Sequence, residues 1–269
     1  MIRIAMTMPE ERALEPGERI LACAVEGSGF ARMDAGMGPA LPVLRAGTLL
    51  RAGGGAALLV LGSGFRHAPA GEGARLPCLS TLTLEARTSI PAGARLEVSP
   101  EKCGWSVAWI TLSDKGSRGE REDTAGPLAA ELLAARLETS LCTGFILPDE
   151  EPRLRALLAD LALVQGYDLI VTSGGTGVGP RDVTPEAALK VIEKRLPGFE
   201  RAMTAASLAK TPHGAISRAL AGTLGESLIL NLPGSPKAVR ECLEPVLPAL
   251  DHALRKLQGD KADCATVVS

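Results

Sequence analysis

Aromatic side chains make up only 3% of this 269-residue chain, and its three histidines are scattered. No basic stripe is present either. Lys and Arg are spread along a chain of formal net charge −2, so the clustered cations that attract nucleic acid are missing, and nucleic acid is not an expected partner. The longest uninterrupted apolar run is about 56–61, far short of the roughly 20 residues of a membrane helix. The N-terminal segment has one basic residue near its start and no sustained apolar stretch, so it does not read as a secretory leader. A soluble, cytoplasmic protein without membrane association is the expectation. The six cysteines (Cys23, Cys78, Cys103, Cys142, Cys242, Cys264) form no C-x-x-C pair and lie at no zinc-ligand spacing to histidine. They read as reduced, mostly buried small hydrophobes.

A hydrophobic content of 46% over this length supports one large core or two ordinary ones. Residues 1–103 are interrupted by glycine and proline every few positions, with short apolar segments at 20–25, 58–61, 79–86 and 94–98. That texture predicts a small β-rich domain. The stretches Ala52-Gly-Gly-Gly-Ala56 and Gly71-Glu-Gly73 weaken its periodicity, and no motif assigns it a role. His67 and Cys78 are conceivable ligands, but a loop histidine and a core thiol are the plainer reading.

From residue 104 the texture changes to alternating strand and helix signals, predicting an α/β domain over 104–259 followed by a flexible tail over 260–269. Strands are expected at 107–112, 141–147, 167–173 and 227–231. Helices are expected at 124–138, with Pro127 in the first turn, and at 152–164, where leucines 154, 157, 158 and 161 share a face. Thr184 as N-cap and Pro185 as first residue predict a helix to about Arg195. A last helix, from about Pro236 toward Leu257, should bend or split at Pro245 and Pro248. Crossovers of helical length between strands imply a mostly parallel sheet covered on both faces.

In such sheets ligands bind beyond the carboxyl ends of the strands. The polar clusters of this region all follow expected strands. Ser113, Asp114, Lys115 and Gly116 follow the first, Pro148, Asp149 and Glu150 the second, the glycine loop Gly174 to Pro180 the third, and Pro233, Gly234 and Ser235 the last. The glycine loop exposes backbone N–H groups to an anion and leads into a helix N-terminus, so a phosphate is its natural guest. It is neither a Walker A loop, lacking a closing Gly-Lys-Ser/Thr, nor a dinucleotide fingerprint. One helix end contributes only about 0.3–1 kcal/mol toward an exposed charge, so cations must assist. Lys115, Arg118, Arg121, Arg181 and Lys237 are available on the expected rim, and Asp114, Asp149 and Asp182 could hold Mg²⁺ through oxygen. Taken singly, each of these charges reads as a solvated loop residue.

Five strings carry a family resemblance: Ser113 to Ser117, Leu147 to Glu150, Thr172 to Glu186, Leu196 to Phe199 and Leu230 to Lys237. In order and spacing they resemble the MogA/MoaB group of molybdopterin adenylyltransferases, and the G domains of gephyrin look similar. The likeness covers about 105–259. It implies a three-layer α/β domain, usually trimeric, that transfers AMP from ATP to the terminal phosphate of molybdopterin and releases pyrophosphate. The family's two required aspartates fall on Asp149 and Asp182, here also the expected metal ligands. Ser113, Asp114, Lys115, Ser173, Gly174, Gly175, Thr176, Gly177, Arg181, Pro233, Gly234, Ser235 and Lys237 fall on its phosphate and substrate positions. Hand-over of product to a molybdate insertase is the implied partnership. Ser235 departs from the Asn or Gln that many members carry there. The first hundred residues lie outside the likeness, and a molybdenum-related β domain is a companion that context alone suggests. Two other readings stay open: a molybdopterin carrier without turnover, and a molybdate insertase, which normally needs further large domains.

Overall fold

The computed structural model describes residues 3–23, 30–34, 43–53, 55, 57–67 and 78–260. The side chains of His67 and Cys78, the Gly71–Gly73 stretch, Cys264 and all but Asp260 of the expected tail lie outside the described residues. The chain divides into two compact units, Met1–Trp105 with Val164–Gly166, and Ser106–Leu163 with Tyr167–Ser269. Three residues from the middle of the chain, Val164–Gly166, group with the first unit.

The first unit is a closed barrel. Its strands are β1 (Ile4–Thr7), β2 (Arg19–Cys23), β3 (Phe30–Asp34), β4 (Thr48–Ala52), β5 (Ala57–His67), β6 (Cys78–Ala86) and β7 (Arg95–Lys102). Around the barrel they run β1-β3-β2-β6-β5-β4-β7, and β7 pairs with β1 to close it. Closure removes both open edges. Alternation decides which face is inside: Ile4 and Met6, Ile20 and Ala22, Leu58 and Val60, and Leu82, Leu84 and Ala86 point into one buried cluster. On the other face Arg19 meets Glu85 across β2 and β6 at 3.4 Å. Three of the seven strands, β1, β3 and β4, match none of the expected segments. His67 is not in a loop. It ends β5 and is in register with Cys78 at the start of β6.

The second unit is built on a six-stranded sheet in the order β11-β12-β13-β10-β8-β9. In chain order its elements are β8 (Trp105–Leu112), α1 (Asp114–Ser117), α2 (Ala125–Ala134), β9 (Thr139–Leu147), α3 (Glu151–Ala159), a π-helical turn at Asp160–Gln165, and β10 (Leu169–Ser173). There follow α4 (Thr184–Leu189), β11 (Lys194–Arg195), α5 (Pro197–Lys210), a 3₁₀ turn at Pro212–Ile216, β12 (Leu220–Leu224), β13 (Ser227–Leu232), α6 (Pro236–Leu243) and α7 (Leu247–Leu257). Strand β10 is parallel to β8 on one side and to β13 on the other, as expected. Every residue of β10 is buried, as is usual in the middle of a sheet with an apolar run. Helices α2, α5 and α6 pack together, and α3 packs on α4.

Several expectations are corrected. The sheet is mixed, because β12 and β13 are joined by two residues, Gly225 and Glu226, and β12 and β11 are also antiparallel. A two-residue connection can join only antiparallel neighbours, and Gly225 supplies the positive φ (55°) such a turn needs. The helix expected to reach Arg195 stops at Leu189, since Lys194–Arg195 pairs with β12 instead. Thr184 is not an N-cap. It lies inside α4, and its hydroxyl donates to the Gly174 carbonyl at 2.8 Å. Helix α5 and strand β12 were not anticipated. The C-terminal helix does split, with Glu244–Val246 separating α6 from α7. Of the cysteines, Cys23 and Cys242 are buried, Cys103 is half-buried and Cys142 is exposed. Burial pushes the Cys242 thiol up to about 11, which makes it a core hydrophobe rather than a nucleophile. Among the described residues no helix is long and apolar enough to cross a membrane.

Candidate active site

The carboxyl ends of β8, β10 and β13 open onto one cleft of about 370 Å³. Its lining includes Ser113 and Gly116, Asp149, Gly174 and Gly175, Asp182, and Gly234 and Ser235. All four loops picked out in the sequence therefore meet at one place, with Asp149 and Asp182 on the same cavity.

Glycine is required at the centre of this arrangement. Gly174 follows β10 with φ 105°, and a Cβ there would stand 2.5 Å from the Leu112 carbonyl oxygen. Backbone oxygen cannot move aside, so any side chain would separate β8 from the loop. Gly234 makes the same close approach from the other direction, since its Cβ would lie 3.1 Å from Gly174 Cα. The hydroxyl of Ser173 donates to the Pro233 carbonyl at 3.1 Å, tying the last two loops together beneath the cleft. Ser113 caps α1 by accepting from Gly116 N–H at 3.0 Å, and Ser235 caps α6 by accepting from Ala238 N–H at 3.2 Å.

Asp114 and Asp149 are joined reciprocally: the amide of each donates to the carboxylate of the other at 3.1 Å. Arg181 grips Asp114 from the glycine-loop side, with Nη2 2.7 Å from Oδ1 and Nε 3.1 Å from Oδ2. This hydrogen-bonded guanidinium holds the Asp114 carboxyl below the usual carboxylate range. Asp149 moves the opposite way. Burial raises it, and the charges on Asp114 and Asp182 add to the rise. Asp182 Oδ2 accepts from Gly179 N–H at 2.8 Å.

Some expected residues are held elsewhere. Lys237 is exposed on α6, 3.9 Å from Glu241, and borders a separate depression with Leu128 and Arg240. Lys115 points to solvent, and Arg118 is paired with Glu120 at 2.8 Å. Thr176 is buried and outside the lining, and its carbonyl accepts from Arg218 N–H at 2.9 Å. Gly177 also lies outside the lining but packs on Asp182, as a Cβ there would come 2.7 Å from Oδ2. Arg121, an expected rim cation, does line the cleft, as do Thr111 and the unexpected segment 122–125. Its Asp123 accepts from the Thr111 hydroxyl at 2.7 Å and from Ala125 and Gly126 N–H at 3.1 and 3.0 Å. Asp123 thus occupies the N-terminal end of α2, leaving the glycine loop as the anion-receptive end. An Asp one residue before Thr124 is a helix-start signal that could have drawn attention to it; Arg218 had no such signal.

The cleft lining carries Glu122, Asp123, Asp149 and Asp182 against Arg121. A polyphosphate entering alone would meet like charge. Among the described residues no three His, Cys, Asp or Glu side chains gather into a metal-holding group. The carboxylates that do line the cleft, Asp149 and Asp182 among them, are oxygen donors of the kind a hard cation takes.

An open α/β sheet with acidic and glycine-rich loops meeting at its strand ends is the usual setting of a ligand site. Residues 108–252 match the family described as "Probable molybdopterin binding domain". Over 155 residues the chain is 41% identical to the molybdopterin adenylyltransferase of Helicobacter pylori strain J99, a match covering 57% of this chain and 88% of that protein. It is 38% identical over 188 residues to gephyrin of Dictyostelium discoideum, covering 65% of this chain and 26% of that relative. The crystal structure of the molybdopterin biosynthesis enzyme MoaB from Thermus thermophilus aligns with TM-score 0.54 at 46% identity, over 58% of this chain and 98% of its own. The chain belongs to this molybdopterin-binding family, and within it stands with nucleotidyltransferases.

Proposed function

We propose that the second unit transfers an adenylyl group from Mg·ATP to the terminal phosphate of molybdopterin, as a step of molybdenum cofactor biosynthesis. The observation that carries this reading is the meeting of Asp149, Asp182 and the Gly174–Gly175 loop on one cleft. A phosphate oxygen of molybdopterin attacks the α-phosphorus of ATP. The new P–O bond forms as the bond to the bridging oxygen breaks, and pyrophosphate leaves with that oxygen's electron pair. Such transfers need alignment and charge neutralisation more than covalent help from the protein.

Each part of the cleft has a task in this scheme. The glycine loop receives phosphate oxygens, and Arg121 is the cation that borders it. Asp149 and Asp182 are the residues that would hold Mg²⁺, which supplies neutralisation of phosphate charge when bound. Arg181 acts indirectly, since its bidentate grip on Asp114 secures the loop that holds Asp149 in place. We further propose the finer family features: a three-layer arrangement of the second unit, assembly as a homotrimer, hand-over of product to a molybdate insertase, and a cytoplasmic location.

The test is pyrophosphate release by the full chain given molybdopterin and Mg·ATP, with molybdate omitted. Turnover that depends on both substrates supports the reading. Molybdopterin binding without pyrophosphate would identify a carrier, and a product that appears only with molybdate would identify an insertase.

A further inference from the structure

We propose that Arg218 is a positioning residue that closes the neck of the glycine loop and so fixes Asp182 at the cleft. It lies between the 3₁₀ turn at Pro212–Ile216 and β12, does not line the cleft, and belongs to no motif of the sequence. Its side chain nevertheless reaches both ends of the loop. Nε donates to the Gly177 carbonyl at 2.8 Å, and Nη2 donates to the Asp182 carbonyl, also at 2.8 Å. Nη1 pairs with the carboxylate of Glu186 on α4, and the backbone N–H of Arg218 donates to the Thr176 carbonyl at 2.9 Å.

The residues between those two carbonyls, Val178 to Arg181, are all exposed. Within the loop, Asp182 N–H donates to the Gly179 carbonyl at 3.0 Å, and Gly179 N–H donates to Asp182 Oδ2 at 2.8 Å. The Asp182 carboxylate rests against Gly177, so the direction it faces depends on the spacing of Gly177 and Asp182 along the backbone. The Arg218 guanidinium sets that spacing. A planar fork of donors with three acceptors in three directions suits this task, whereas the single point charge of lysine cannot span them. Only about a third of the side chain is exposed (35%), so water replaces the lost donors poorly.

The rate part of the test rests on the adenylyl-transfer reading; the exchange part does not. In the full chain, Arg218→Ala should lower kcat on the order of 100-fold while KM for Mg·ATP moves by less than about threefold. Hydrogen exchange at the Gly179 amide, which depends on Asp182 staying in place, should speed up by about tenfold. Added guanidinium ion should restore part of the rate, and Arg218→Lys should restore neither rate nor protection. Unchanged exchange at Gly179 in Arg218→Ala, or full activity in Arg218→Lys, would overturn the proposal. If Arg218→Ala fails to fold, Arg218→Lys alone decides by the same two readouts. If the unaltered chain releases no pyrophosphate, the functional reading fails, and Gly179 exchange still decides the role of Arg218.

Discussion

The two units treat buried polarity in opposite ways. Among the described residues of the barrel, Thr81 is the one buried polar side chain, and the inward-facing cluster is wholly apolar. The α/β unit buries Thr111, Asp168, Thr172, Ser173, Thr176, Thr184 and Asn231, among others. An unmatched group of this kind costs about 1–3 kcal/mol, and although Thr172 Oγ1 and Asn231 Oδ1 have no partner, most of the others do. Asp168 shows how the demand is met, accepting from the amide of Ser106 at 2.7 Å and from its hydroxyl at 2.9 Å. Thr184 and Ser173 bond to loop carbonyls rather than to each other. The barrel interior serves cohesion, whereas the polar interior of the second unit holds the loops of a cleft at set distances.

That contrast can be broken most easily in the barrel. Leu84 is fully buried in its cluster, so Leu84→Ala should cost about 2–5 kcal/mol of unfolding free energy, read by urea denaturation. A loss under about 1 kcal/mol would mean that the interior is not close-packed.

Asp182→Asn is the matching change in the second unit, and it should act on rate instead of stability. It keeps an oxygen for the Gly179 amide but removes the charge, and should lower kcat/KM on the order of 100-fold, about 2.7 kcal/mol. An unimpaired rate would take Asp182 out of the mechanism.

The gentlest probe is pH. Asp149 is raised in the folded chain, so its charged form, which detracts from stability at neutral pH, is lost as pH falls through the raised value, and relative stability returns. Asp114 is depressed, so the stability it contributes is present above the unfolded value and lost as pH falls through the folded one. Carbon-13 titration of the carboxyl groups should therefore find Asp149 taking up its proton at a higher pH than Asp114. Asp114→Asn should bring Asp149 down, as it removes a neighbouring negative charge and releases Arg181. The reverse order would contradict the desolvation of Asp149.

Much of this organisation was legible in the residues. Apolar runs ending at glycine or aspartate located β8, β10 and β13 to within two residues, and their loops named most of the cleft, because a buried parallel strand needs a continuous apolar stretch. What escaped was set by tertiary contact. Residues Lys194–Arg195 carry no strand signal and become β11 only because β12 offers a free edge. Arg218 reads as an ordinary surface cation until the chain returns beneath the glycine loop. Lys237 read as a rim cation because it follows Ser235 closely, yet the first turn of α6 rotates it away. In the barrel, alanine and glycine blurred the alternation, and closure rather than propensity holds the short strands.

Trp109 stands on β8. Its indole lies against Gly126 of α2 and Gly144 of β9, where an added Cβ would overlap the ring in either case. The chain has only two tryptophans, and this one shares a strand with cleft-lining Thr111. The wall of the cleft therefore carries its own optical label, placed where a guest that disturbs the Thr111–Asp123 bond would alter the emission of the ring behind it.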